Sequence, residues 1–339
     1  MTKEVVAFYP YSAKGNAYTD NMIAIWNKKY KVVSYNKYGI ADEKAGKCKF
    51  IILNWFENEL DLRSFFQLFL YRLSGKKIIW VFHNLISHEN PQYWCSLLQI
   101  KSMTFLSNRI ILHSKASRKP LHDYNPRAVR KAIYIPHINY CSNYTKTREN
   151  LREHFGFEED EMIFMFFGFL KPYKNIELLI QIFNEWNCKK AKLLIAGQAI
   201  DGKYAKSLEK LCNNNPNITI DCHYVSDNMV YTYFNTCDVA VMPYHKASCL
   251  NSGAMIAAFS CAKTVIVPDI AMAKDMQSLC YVYGYKTDAE HKQALEKTLV
   301  KCYKQGREKN LVLGKRAQTY VDKRNSYDRV MEKISQLWS

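Results

Sequence analysis

Short runs of apolar residues rich in Val, Ile and Phe recur along the chain, separated by longer stretches of mixed polarity. VVAFYP (5–10) reads as a strand and 18–28 as a helix. KVVSYN (31–36) and FIILNW (50–55) are further strands, and 60–73 carries helical spacing. IIWVFHN (78–84), RIILHS (109–114) and AIYIPHI (132–138) complete the first half. The rhythm restarts with the strand MIFMFFGF (162–169), the helix NIELLIQIFNEW (175–186) and the strand KLLIAG (192–197). After another helix come ITIDCH (218–223), DVAVMPY (238–244) and TVIVPD (264–269). Apolar strands alternating with helices of this length indicate βαβ units and parallel sheets.

The stretch TKTRENLREHFGFEEDE (145–161) is highly charged, and the domain boundary is placed there. Two Rossmann-like α/β domains are therefore expected over 1–150 and 151–315, with a last helical stretch, 316–339, that can cross back onto the first. At 339 residues the chain exceeds one ordinary core. Ligands of open α/β sheets sit at the carboxyl ends of the strands, so the chemistry is expected to face a cleft between the two halves.

Charge sharpens the picture. Lys plus Arg total 48 against 31 Asp plus Glu, a formal +17 that attracts a polyanion: nucleic acid, a phosphorylated substrate or an anionic membrane face. A nucleic-acid binder would interleave cations with aromatics in a recognised motif, and none is found despite 24 Tyr. Eleven cysteines without a C-x-x-C pair read as free thiols of a cytoplasmic chain. Neither a secretory signal nor an apolar run of about 18 residues is visible. The expected location is the cytoplasm, with the inner face of the plasma membrane as a second option.

Several phrases keep a common order: GNAYTDNM (15–22), WVFHNLISHE (80–89), IPHINY (135–140), FGFLKPYKNIELLI (167–180), LLIAGQ (193–198), VSDNMVYTYFNTCDVAVMPY (225–244) and NSGAMIAAFSCAKTVIVPD (251–269). Together they resemble the GT-B glycosyltransferases of family 4, the "glycosyl transferases group 1" enzymes of polysaccharide biosynthesis. The resemblance implies a GT-B fold, with an N-terminal acceptor domain facing a C-terminal nucleotide-sugar domain across a cleft. It further implies metal-independent hexosyl transfer from a nucleotide-diphosphate sugar, with no other cofactor, onto a saccharide or lipid-linked saccharide of surface or capsular polysaccharide. A GT-B nucleotide-sugar epimerase is the alternative.

Lys171 and Lys174 flank Pro172 and Tyr173 between a strand and a helix, where cations suit a diphosphate that gains charge as the glycosidic bond breaks. The resemblance gives Lys174 that role. Lys171 is expected to supply the charge of an arginine that the family carries where Phe169 stands. Asn251, Ser252 and Gly253 precede the apolar run AMIAAF, and a capped helix start with Gly is an anion site. Gly197, Val225 and Tyr244 are expected in the nucleotide pocket, and Gly15, Asn16 and Asn84 at the acceptor.

His83 ends an apolar strand. The resemblance places it at the transferred sugar, orienting a hydroxyl or acting as general base. His88 with Glu89 reads equally as a structural pair, and His137 and Asn139 as parts of the interdomain wall. Two glutamates of the family pattern are missing, since Cys249 and Ala257 occupy their positions, which leaves retention and inversion both open. Finally, Leu62, Phe65, Phe66, Phe69, Leu70 and Leu73 recur at spacings of three and four. Burial against the sheet is the favoured reading of that face; contact with an anionic leaflet, aided by Arg63, Arg72, Lys76 and Lys77, is the other.

Overall fold

Val5–Tyr9 (β1) and Met162–Phe167 (β8) are the strands around which two parallel sheets are built. The computed structural model describes residues 3–11, 16–41, 48–84, 93–246 and 249–337, the side chains of 93–96 excepted. The chain divides into two units, one of residues 1–138, 247–251 and 324–339 and the other of 139–246 and 252–323.

In unit 1, β1 pairs in parallel with Lys31–Asn36 (β2) on one side and Cys48–Asn54 (β4) on the other. The sheet continues through Lys77–Val81 (β5), Arg109–Leu112 (β6) and Ala132–Tyr134 (β7), and the short Gly39–Ile40 (β3) closes the other edge antiparallel to β2. Helix α1 (Ala17–Lys29) buries Tyr18, Met22, Ile25 and Trp26. Helix α2 (Leu62–Leu73) starts at a reciprocal cap: Ser64 N donates to Asp61 Oδ1 at 2.8 Å, and Asp61 N to Ser64 Oγ at 2.9 Å. Helices α3 (Tyr93–Leu106) and α4 (Arg118–Tyr124) follow.

Unit 2 orders its strands β10-β9-β8-β11-β12-β13, all parallel. They are β8, Ala191–Ala196 (β9), Ile218–Asp221 (β10), Val239–Val241 (β11), Thr264–Pro268 (β12) and Tyr281–Tyr283 (β13). Its helices are α5 (Ile176–Glu185), α6 (Gly202–Leu211), α7 (Asp227–Thr236), α8 (Gly253–Ser260), α9 (Ala271–Asp275) and α10 (Asp288–Arg324). Beyond α10, α11 (Tyr327–Ser335) belongs to unit 1, where the Tyr327 hydroxyl donates to Ala24 O at 2.9 Å.

Three expectations need correction. The unit boundary falls at 138/139, not at 150/151, because the charged segment 145–161 is packed into unit 2. Leu151 N donates to Thr236 Oγ1 at 2.8 Å, and Arg152 stands 3.6 Å from Asp238, which also receives Arg307 at 2.8 Å. The final helical stretch is two pieces, and the return to unit 1 begins at 324 instead of 316. The apolar face of α2 is largely turned outward: Leu62, Phe66, Leu70 and Leu73 are 80%, 60%, 58% and 69% exposed, while Leu68 and Ser64 are fully buried.

Strands also stop short of their apolar runs. Phe82 N, Ile135 N and Met242 N each make one more bond, to Ile111 O, Leu112 O and Ile266 O, after which the chain leaves the ladder. Residues 83–84, 137–139 and 244 thus belong to the loops at the carboxyl ends of the sheets.

Gly314, in α10, passes so close to the turn after α8 that a Cβ there would lie 2.0 Å from Ala262 O. Ala in place of Gly inside a helix ordinarily stabilises by about 1 kcal/mol. Here the overlap is with backbone, so Gly314→Ala should instead destabilise by roughly 1–3 kcal/mol, the scale of overpacking. Urea unfolding midpoints of the two proteins check the sign.

Candidate active site

Each sheet has one place where the chain's crossovers change direction, between β1 and β4 in unit 1 and between β8 and β11 in unit 2. The carboxyl ends at such a point are left open for a ligand.

In unit 1 that end holds a buried polar cluster. Asn54 is the last residue of β4, and His83, His113 and His137 follow β5, β6 and β7 by one to three residues. Tyr18, on the first turn of α1, sits among the three imidazoles with ring centroids 4.9–5.4 Å away. Trp55, held in the left-handed region at φ 53°, stacks on His83 at 4.3 Å and 18°.

The hydrogen bonds assign the protons. Asn54 Nδ2 donates to Tyr9 O at 2.9 Å, so its Oδ1 faces His83 Nε2 at 3.1 Å and accepts from it. Neutral His83 therefore keeps its lone pair on Nδ1. His113 Nδ1 donates to Ile135 O at 2.8 Å, which leaves Nε2 to accept from the Tyr18 hydroxyl at 2.8 Å. That hydroxyl is also 3.1 Å from Asn54 Oδ1, and its single proton serves one acceptor at a time. Burial, reinforced by His113 and His137, holds His83 well below the usual histidine range. Burial likewise pushes His113 down to about 3 and His137 to about 4. All three are neutral at pH 7.

Asn84 is buried beside His83. Leu250 N donates to His83 O at 3.3 Å and Asn251 Nδ2 to Phe82 O at 3.3 Å, while Asn251 Oδ1 is buried without a hydrogen-bond partner among the described residues. Asn251 thus groups with the histidine side of the molecule, apart from Ser252 and Gly253 of unit 2. Cys249 donates its thiol proton to Asn251 O at 2.7 Å, and Ala257 is buried in α8, so neither position presents a carboxylate. Asn16 precedes α1 and accepts from Thr19 N through its carbonyl. Gly15, His88 and Glu89 lie outside the described residues.

In unit 2, β8 is followed by Gly168 and β9 by Gly197, and the two approach so closely that a Cβ on Gly197 would lie 2.1 Å from Gly168 O. Both have positive φ, 121° and 140°, which favours glycine. Gly197 is thereby fixed by backbone packing, whatever it also does for a ligand. Over Gly168 stands the Lys174 ammonium, 3.7 Å from where a Cβ would be and 6.0 Å from the Tyr244 ring centroid. Lys174 is set there by a turn that Asn175 closes at φ 53°, its Nδ2 donating to Pro243 O at 3.1 Å.

Tyr244 is buried, with its hydroxyl 3.5 Å from Ser252 Oγ. Ser252, not Asn251, caps α8, accepting from Met255 N at 3.1 Å, and Gly253 opens the helix. Lys174, Tyr244, Ser252 and Gly253 are therefore neighbours at the open end. Lys171 Nζ lies 5.3 Å from the Phe169 ring, and Val225 follows the edge strand β10, two strands from β8. Among the described residues no three or more His, Cys, Asp or Glu converge as a metal-binding group.

Sequence reasoning singled out His83, but not Tyr18, Asn54, Trp55 or His113. A signal was present: three successive apolar strands of the first half each run into a histidine.

Comparison with known proteins agrees with this arrangement. The family described as "Glycosyl transferases group 1" matches residues 147–320, just over half of the chain. A GDP-mannose:glycolipid 4-beta-D-mannosyltransferase of Xanthomonas campestris pv. campestris is 26% identical over 102 residues, 30% of this chain and 29% of that protein. Among solved structures, Anabaena HepE in complex with UDP and glucose superposes with a TM-score of 0.74 at 15% identity, covering 98% of each chain. Sucrose-phosphate synthase from Thermosynechococcus elongatus gives 0.74 at 13% identity over 99% and 98% of the two chains. These likenesses carry the GT-B fold. With parallel α/β architecture in both units and the family match spanning the second, the chain belongs to the glycosyl transferases group 1 family and is a glycosyltransferase of GT-B fold.

Proposed function

We propose that the enzyme transfers a hexosyl group from a nucleoside-diphosphate sugar, held by unit 2, to a hydroxyl of a saccharide or lipid-linked saccharide held by unit 1. The observation that carries this reading is the Lys174 ammonium poised over bare Gly168 beside Tyr244 and the N-terminus of α8. A diphosphate leaving group gains negative charge as the bond to the sugar breaks. A fixed ammonium and the positive end of a helix stabilise that charge more in the transition state than in the ground state. Lys171 adds charge at the same turn, and the pair stands in for a metal ion. Tyr244, Gly197 and Val225 line the nucleotide side of this reading.

His83 Nδ1 is the acceptor that unit 1 offers to a sugar hydroxyl, with Asn84 beside it. Its Nε2 proton is committed to Asn54, and a neutral imidazole can take up a proton where a charged one cannot. Asn251 Oδ1, buried without a hydrogen-bond partner among the described residues, is the acceptor proposed to meet donor-sugar hydroxyls in place of the missing family glutamates. The Xanthomonas relative is named for transfer to a glycolipid, which favours a lipid-linked acceptor and a role in assembling a surface or capsular polysaccharide from the cytoplasmic side.

A thermal-shift screen of UDP, GDP, CDP and ADP with their sugars tests the reading, since a ligand of the folded state raises the midpoint by mass action. No stabilisation by any of them would refute it. With the nucleotide found, Lys174→Ala should weaken its binding by about 1.5–3 kcal/mol, the scale of a charge-assisted hydrogen bond, with the fold intact. Calorimetric titration checks this, and unchanged affinity removes Lys174 from the site. Turnover should persist in excess EDTA; loss restored by Mn²⁺ or Mg²⁺ would contradict the cation account.

The histidine cluster predicts a pH dependence. Unfolded, His113 and His137 bind protons near pH 6.5; folded, they do so only at about 3 and about 4. Between these limits the unfolded chain holds more protons, so stability falls as pH drops from about 6.5 toward 4. The slope is about 1.4 kcal/mol per pH unit for each histidine that stays neutral, and it vanishes above that window. Denaturant titrations from pH 7.5 to 4.5 should show it, and His113→Asn should flatten it.

A further inference from the structure

We propose that the outer surface formed by α2 and α3 docks the enzyme on an anionic lipid bilayer. The twelve residues of α2 bury only Leu68 and Ser64. Leu62, Phe66, Leu70 and Leu73 form a line along its outer side, and Leu98 and Phe105 of α3 extend it, 68% and 54% exposed. The two helices are tied into one surface, because Phe69 and Phe105 stack at 6.3 Å and the Arg72 guanidinium donates to Phe105 O. Water-facing apolar side chains in a row have no role in a solvated face, and this row is long enough to lie in a membrane interface.

Charge selects the occupant. Residues 62–84 contain four Lys or Arg and no Asp or Glu; residues 93–131 contain eight and one. Arg63, Lys77 and Lys101 are exposed around the apolar line. A second copy of the chain is a poor occupant, since a two-fold contact would set these cations against themselves. A leaflet with anionic headgroups answers both features at once, by taking the apolar side chains into the acyl boundary and pairing the cations above it. Lys29, Lys49 and Lys77 line a cavity of about 390 Å³ at the amino ends of β4 and β5 together with Glu4, which pairs with Lys49 at 3.0 Å. The inference deepens the lipid-linked-acceptor reading, but its test uses neither donor nor acceptor, so each can fail alone.

The full chain is sedimented with vesicles of neutral phosphatidylcholine, or of the same lipid with about one third phosphatidylglycerol. Binding should be at least tenfold stronger to the anionic vesicles. It should fall as salt rises from about 0.1 M to about 1 M, where the Debye length shrinks from about 10 Å to about 3 Å. Phe66→Ser/Leu70→Ser and Lys77→Glu/Lys101→Glu should each reduce it about tenfold, with circular dichroism and melting midpoint unchanged, as expected for exposed positions. Equal binding to both vesicles, no binding at low salt, or folded variants that bind like the parent would each overturn the proposal. So would a dimer in sedimentation velocity that Phe66→Ser/Leu70→Ser dissociates, because the stripe would then belong to a second copy.

Discussion

The constraint from which the rest follows is the parallel strand. A parallel sheet forces every crossover to leave from a carboxyl end, and where two successive crossovers part company the end is left uncovered. Both units have that geometry, at β1/β4 and at β8/β11. The polar residues gathered there come from separate connections: Asn54 and three histidines from four strand ends in one unit, and in the other Lys174 from one loop with Tyr244 and Ser252 from a second. Their proximity is a property of strand order. Small residues then decide how near the loops come, which is why Gly168 and Gly197 meet backbone to backbone and leave room above for a lysine.

This explains what could be read directly. Apolar runs such as FIILNW and KLLIAG have one structural use at that length, and the alternation with helices gave two parallel α/β sheets from the pattern alone. Lys174 and the Ser252–Gly253 turn were legible because their chemistry is local: a lysine after a strand, a cap before a helix. His83 was visible through its neighbours in sequence. Tyr18 was not, since it belongs to the site only through hydrogen bonds to residues 36 and 95 positions away. Nothing local marks a tyrosine on the first turn of a helix as part of a histidine cluster. The boundary was misplaced for a related reason. Charge density in 145–161 resembles a linker, yet Arg152, Asp238 and Arg307 spend that charge on one another inside a unit.

The two sides handle ionisation in opposite ways. On the Lys174 side a cation is held half-buried near the rings of Phe166 and Tyr244, where its field is screened less than in water. On the histidine side, burial and mutual repulsion remove charge, leaving imidazoles whose donors are committed to Asn54 and to main-chain carbonyls. Such a cluster costs stability at acid pH, and no packing requirement calls for three histidines where apolar side chains would serve. That pattern is expected where ligand chemistry, not folding, chose the residues.

Helix α2 shows where pattern reading fails in principle. Periodicity reports that one side of a helix is apolar, but not which way that side points. The rotation of α2 is set instead by its ends and its single deep anchor. The Asp61–Ser64 cap turns Ser64 inward, Leu68 follows one turn later on the same side, and the apolar line at 62, 66, 70 and 73 is carried outward. Against water that arrangement wastes about 25 cal/mol for every Å² of apolar surface left exposed. A helix retains such a face when something other than the protein's own core covers it. The exposed cations Arg63 and Lys101 lie on these helices, with Asp61 at the amino end of α2, and under the lipid-linked-acceptor proposal unit 1 would meet its substrate at a bilayer surface, so its basic apolar helices and its neutral histidine cluster would serve a single task.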